Sequence, residues 1–222
     1  MGALSARFFA LAQGAGFYQA LLQDTLALLG DGNGRTLLDV GCGPGALTRL
    51  AATRGYQATG IDNDPAMIAL ARRTAVRERS PAAFAGTDLH AAARTFHPAD
   101  VVAAASLLAI LPDPANSLKD LWECVTAKGT LLIIEPNQQM TPSGPREQLA
   151  TGTPRPRRRL LAVWAHARQG RAGNPLPLDA LARIAQRHDY PLLGGMITAT
   201  RLEKSARTPS GNDRELLDTG TR

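Results

Sequence analysis

The sequence predicts a doubly wound α/β domain built on a mostly parallel sheet. Short apolar runs alternate with stretches of helical periodicity along most of the chain. One of those runs, Leu37-Leu38-Asp39-Val40, ends in a glycine-rich turn, Gly41-Cys42-Gly43-Pro44-Gly45. The next run ends on a carboxylate, Asp62, 21 residues after Gly41. That spacing puts the acid at the carboxyl edge of a neighbouring parallel strand, within reach of two ribose hydroxyls.

Each element follows from its own residues. The amino-terminal stretch, apolar but interrupted by Arg7 and Gln13, reads as a helix of the mature chain and not as a signal peptide. Residues 36–40 suit a buried strand, and the glycines after it let the backbone take positive φ and approach a ligand closely. A helix is expected over 46–54 and a second strand over 58–62. Asp64 followed by Pro65 forms an N-cap with a first-turn proline, opening a helix over 65–78. Residues 82–88 read as a short third strand and 99–107 as a fourth. Leu118, Leu121, Trp122 and Val125 mark one face of a helix over 114–127, which Lys128-Gly129 is expected to close before a fifth strand over 130–136. Leu178, Leu181, Ala182 and Ala185 stand at helical spacing and predict a covering helix over 178–187. Residues 196–202 alternate like a final strand, and the segment before it, 188–195, is short for a sixth. Beyond Lys204 the chain is polar, with little apolar surface to offset the entropy of ordering it. Residues 1–204 therefore read as one domain and 205–222 as a disordered tail.

The stretch from Leu37 to Gly45 resembles motif I of the class I S-adenosylmethionine (SAM) dependent methyltransferases. Gly41, Gly43, Gly45 and Ala46 also satisfy the looser dinucleotide fingerprint; Asp39, Pro44 and the tight glycine spacing separate the two. The resemblance implies a seven-stranded sheet with its last strand antiparallel, and SAM as cofactor. It implies that the turn holds the methionine part of SAM, that Asp39 supports its ammonium and that Asp62 binds the ribose. Asp88 falls where the family accepts the adenine amino group. Cys42, Asn63, Met67, Leu89 and Ser106 complete the implied cofactor set. Amino-methylating nucleic-acid enzymes of the superfamily often carry Asn/Asp-Pro-Pro-aromatic after the fourth strand. Here residues 106–112 read Ser-Leu-Leu-Ala-Ile-Leu-Pro, similar to the apolar equivalent in small-molecule methyltransferases.

Acceptor recognition is expected in 137–177, where Pro142, Pro145, Pro154, Pro156, Pro175 and Pro177 suggest an inserted lid. Arg155, Arg157, Arg158, Arg159, Arg168 and Arg171 fall within it, in a chain of net charge +6. They read either as a solvated basic face or as an anion-binding cluster for a carboxylate, a phosphate, RNA or a membrane surface. A sulfonium methyl is already activated, so an amine or acidic hydroxyl acceptor needs mainly alignment, and a weaker hydroxyl needs a base. His166 is the leading candidate for that base, with Glu135 and Asn137 at the edge of the fifth strand as alternatives. His90 and His97 read as surface imidazoles.

The favoured reading is direct methyl transfer to a small-molecule acceptor, which the arginine cluster allows to be anionic. An RNA or protein acceptor and a non-catalytic SAM-binding module stand as alternatives, and a nicotinamide oxidoreductase as a more distant rival. No Cys-x-x-Cys pair, histidine cluster or Asp-rich loop supports a metal, and Ser106 lacks the glycines of a hydrolase elbow. No apolar run approaches the ~20 residues of a membrane helix. Cys42 and Cys124 do not suggest a disulfide framework, so a reducing cytoplasm is the expected setting. Oligomeric state stays open.

Overall fold

The computed structural model describes residues 16–140, 178, 181 and 184–204. Its helices are α1 (Gly16–Ala27), α2 (Ala46–Thr53), α3 (Pro65–Glu78), α4 (Leu89–Thr95) and α5 (Pro114–Glu123). Its strands are β1 (Thr36–Val40), β2 (Gln57–Asp62), β3 (Ala83–Gly86), β4 (Ala99–Ala105), β5 (Val125–Pro136), β6 (Ala185–Leu192) and β7 (Ile197–Lys204). Short 3-10 turns lie at Leu108–Ile110 and Leu193–Gly195.

The seven strands form one sheet in the order β3-β2-β1-β4-β5-β7-β6. Strands β1 to β5 pair in parallel, and β7 enters antiparallel between β5 and β6, as expected of the final strand. Successive side chains of a strand leave opposite faces, so both faces must be covered. Leu37 packs with Leu22, Leu26 and Leu47 from α1 and α2, whereas Leu38 and Val40 pack with Leu118, Leu121 and Trp122 of α5. Leu178 and Leu181 are buried in that second layer. The chain order changes direction between β1 and β4, and the crevice at their carboxyl ends is where such sheets bind ligands.

Two expected helices are corrected. The one over 114–127 ends at Glu123, because Val125 already pairs with Ala99. Residues 126–129 form a bulge before Thr130 meets Val101, and a Cβ on Gly129 would stand 2.9 Å from the Asp100 carbonyl oxygen. Lys128-Gly129 therefore shapes a strand irregularity and does not close the helix. The helix end is held instead from β7: Lys204 Nζ donates to the Trp122 and Val125 carbonyls at 3.0 and 2.9 Å.

The helix expected over 178–187 gives way to β6 from Ala185 onward. Leu178 and Leu181 are buried as their spacing requires, but residues 185–192 pair along their whole length with β7. This strand is at the sheet edge and mostly exposed, so its sequence carries no apolar alternation, and Pro191 is tolerated there. The tail over 205–222, residues 1–15, and 141–177 of the expected lid lie outside the described residues.

Candidate cofactor pocket and active site

The turn after β1 is built from three glycines at positive φ, 69° at Gly41, 54° at Gly43 and 77° at Gly45. At two of them an added side chain would make a neighbour shift. A Cβ on Gly45 would stand 2.4 Å from the Phe84 ring, and one on Gly41 would stand 2.9 Å from Leu107 Cδ1. Gly45 is the N-cap of α2 and takes a left-handed conformation with no side-chain cap hydrogen bond.

Around this turn lies a cavity of about 520 Å³, within the range of small-molecule and cofactor sites. Asp39, Gly41, Cys42, Gly43, Asp62 and Asn63 border it, as do Met67, Asp88, Leu89 and Ser106. Every residue of the implied cofactor set except Gly45 is thus brought to one place. Gly45 sits behind the turn against Phe84.

Asp39, at the end of β1, is 2% exposed, and Thr48 Oγ1 of α2 donates to its Oδ2 at 2.6 Å. Burial is the main force on this carboxyl and, against the Thr48 hydrogen bonds, pushes its pKa up to about 6; the neighbouring Asp62 charge adds to the rise. Asp62 is fixed differently. Its Oδ2 accepts from Gly43 N–H and its Oδ1 from Asp64 N–H, both at 2.9 Å, which ties the end of β2 to the glycine turn. A carboxylate has about four lone-pair directions, so these two bonds leave acceptor capacity for hydroxyl donors. Asp64 caps α3 through Ala66 N–H at 2.8 Å, with Pro65 in the first turn, as its sequence requires. Asp88 Oδ1 caps α4 through Ala91 N–H at 2.8 Å. Burial pushes the Cys42 thiol far above its ordinary range, so it lines the wall as a neutral group.

The charge of the described lining bears on the two nucleotide readings. Asp39, Asp62, Asp64 and Asp88 border the cavity, and among the described residues no lysine, arginine or histidine does. Such a wall repels a pyrophosphate and attracts a ligand carrying positive charge.

The catalytic candidates fare differently. Glu135 is buried beneath the cavity wall and not among its lining; its Oε1 accepts from Leu108 N–H at 2.8 Å. Asn137 Nδ2 donates to the Gly195 carbonyl at 2.7 Å and to Thr198 Oγ1 at 2.9 Å, so its amide is committed to the entrance of β7. His90 stands between Asp120 and Arg94 on the outer surface, and His97 is exposed. His166 and the six arginines lie outside the described residues.

Sequence reasoning missed Tyr18 of α1, which lines the cavity and packs edge-on against Phe17 at 6.5 Å between ring centres. The adjacent Phe17-Tyr18 pair in a chain only 5% aromatic was the available signal. It also missed Ile110, Leu111 and Pro112 as lining residues, which extend the apolar side of the cavity. Ile110 is 43% exposed at its mouth.

Residues 14–193 match the family model described as a methyltransferase domain. The chain is 31% identical over 175 residues to a trans-aconitate 2-methyltransferase of Afipia carboxidovorans, covering 75% of this chain and 64% of that relative. It is 36% identical over 111 residues to a ubiquinone biosynthesis O-methyltransferase of Alkalilimnicola ehrlichii, covering 50% of this chain and 45% of the relative. The aligned stretches thus span from about half to under two thirds of these relatives. The magnesium protoporphyrin IX methyltransferase of Synechocystis PCC 6803, solved with bound SAH, shares the fold with a TM-score of 0.61 at 16% identity, over 90% of this chain and 93% of that one. A plantazolicin methyltransferase in complex with SAH and a triazolic desmethylPZN analogue gives a TM-score of 0.65 at 13% identity, over 90% of each chain.

Proposed function

This chain belongs to the methyltransferase-domain family, and we propose from that premise that it transfers a methyl group from SAM to a small-molecule acceptor. The observation that carries the cofactor assignment is the cavity wall itself, with four carboxylates, no basic side chain among the described residues, and a backbone turn open to close approach. SAM carries a sulfonium and an ammonium and has no phosphate, so its charge matches this wall where that of a dinucleotide does not.

Asp39 would hold the ammonium, its carboxylate oriented by Thr48. Asp62 would hold the ribose hydroxyls, fixed in place by the Gly43 and Asp64 N–H groups. Met67 and Leu89 would flank the base, with Asp88 beside them. Bound SAM supplies an activated methyl group, and the chain's own task is to align the acceptor with it and exclude water. Tyr18, Ile110, Leu111 and Pro112 are suited to the second task, since they close the cavity with apolar surface. Among the described lining residues no histidine is placed to take a proton, which favours an acceptor that attacks unaided, or one whose base comes from 141–177. One relative is named for trans-aconitate, a carboxylate-bearing compound, and another for O-methylation in ubiquinone biosynthesis; the arginines of that segment suit an acceptor of the first kind.

Transfer of labelled methyl from SAM into fractionated cell extract tests the proposal. Label is expected in the small-molecule fraction; label confined to RNA or protein, or none in any fraction, would overturn it.

A further inference from the structure

The last main-chain bond of the β4–β5 ladder runs from Ser106 N–H to the Ile134 carbonyl at 2.8 Å. Ser106 then turns to φ 53°, a left-handed conformation that strains a non-glycine residue. The next amide turned toward β5 is Leu108 N–H, and it is met by the Glu135 side chain at 2.8 Å. A buried carboxylate thus extends the ladder one step past the backbone, holding the strained turn closed. Leu107, between these two anchors, lies against Gly41 so closely that a Cβ there would stand 2.9 Å away. Ser106 and Leu107 border the cavity on one side of that contact and Ile110 and Leu111 continue the wall.

We propose that Glu135 is a positioning residue of the cofactor and acceptor pocket: through Leu108 N–H it sets the 106–111 wall and, through Leu107, the glycine turn. It does not touch the reacting atoms. The inference rests on the SAM-dependent reading for its ligand, but its physical content is a hydrogen bond that an amide side chain can also accept. An amide at this position would have to house an NH₂ donor that the Glu135 side chain does not carry.

Glu135→Gln and Glu135→Ala separate positioning from base catalysis and from bulk stability. Hydrogen exchange at the Leu108 amide should be faster than wild type by about tenfold or more in the Ala variant, while amides of β1 and β4 keep their protection. The Gln variant should hold exchange near the wild-type rate. SAM affinity, read by calorimetry, should fall about tenfold in Ala and less than threefold in Gln, and any methyl transfer should follow the same order with an unchanged pH profile in Gln. Wild-type exchange at Leu108 in the Ala variant would overturn the proposal, as would a Gln variant inactive with intact SAM binding, which would make Glu135 the base. Wild-type protein that binds no SAM would instead fail the functional reading, and the exchange result would still decide whether Glu135 holds the turn.

Discussion

Replacing Asp39 by Asn should make the ligand-free protein more stable and its cofactor site worse. Asp39 is buried, and its pKa rises from the ordinary 3.8 to about 6. At ~1.4 kcal/mol for each tenfold change in proton affinity, this rise corresponds to ~3 kcal/mol held against the ionised form. Between about pH 4 and pH 6 the folded chain keeps a proton that the unfolded chain has already released. The stability contribution of this group therefore falls as pH rises through that window, and its full cost is present above it. Asn has the same shape, carries no charge and still offers an oxygen to Thr48 Oγ1, which now lies 2.6 Å from the carboxylate. Above about pH 6 the variant should gain up to ~3 kcal/mol, or roughly 6–12 °C in melting temperature for a chain of this size, and the gain should vanish below about pH 4. SAM affinity should fall by about 10–100-fold, the worth of one charge-assisted bond. Thermal unfolding across pH, with and without SAM, reads both effects. An Asn variant less stable than wild type above about pH 6, or one that binds SAM as tightly as wild type, would refute the reasoning.

Other substitutions probe the remaining parts of the pocket. Asp62→Ala removes the acceptor of the Gly43 and Asp64 amides as well as the proposed ribose ligand, and SAM affinity measured by calorimetry should fall by at least 100-fold with the fold retained by circular dichroism. Gly45→Ala sets a Cβ against the Phe84 ring at φ 77°, and denaturant unfolding should show a loss of ~2–4 kcal/mol from strain and overpacking combined. Replacing Arg157, Arg158 and Arg159 together by Gln should raise the acceptor KM while leaving SAM affinity within about twofold, if these side chains meet an anionic acceptor. No change in either constant would make them solvated surface.

The parts of the fold that were legible in the sequence are those where a local signal and the tertiary structure agree. Leu37, Leu38 and Val40 are apolar because both sheet faces are covered there, so β1 announces itself. Asp64-Pro65 carries its own capping chemistry, and α3 begins where it says. That the glycine turn and Asp62 would meet around one cavity was legible because glycine spacing fixes the turn and one strand length fixes Asp62 beside it. What stayed hidden depends on partners distant in the chain. The sequence of β6 is exposed and polar, and only the ladder to β7 makes it a strand. The early end of α5 follows from the pairing of Val125 with Ala99, which no helical periodicity encodes. Glu135 reads as a candidate base because it stands at a strand's carboxyl edge, and its 27-residue jump to Leu108 N–H, on which the proposed positioning role rests, is invisible locally. Tyr18 escaped for the same reason, since α1 is brought to the cavity by packing on elements distant in the chain.

The central claim, that an acidic cavity at the β1 turn selects a cationic nucleoside, is tested most directly by titrating the purified chain with SAM and, separately, with NAD in a calorimeter. The expected result is a saturable isotherm with SAM and no heat of binding with NAD. Saturable binding of NAD together with no response to SAM would contradict it.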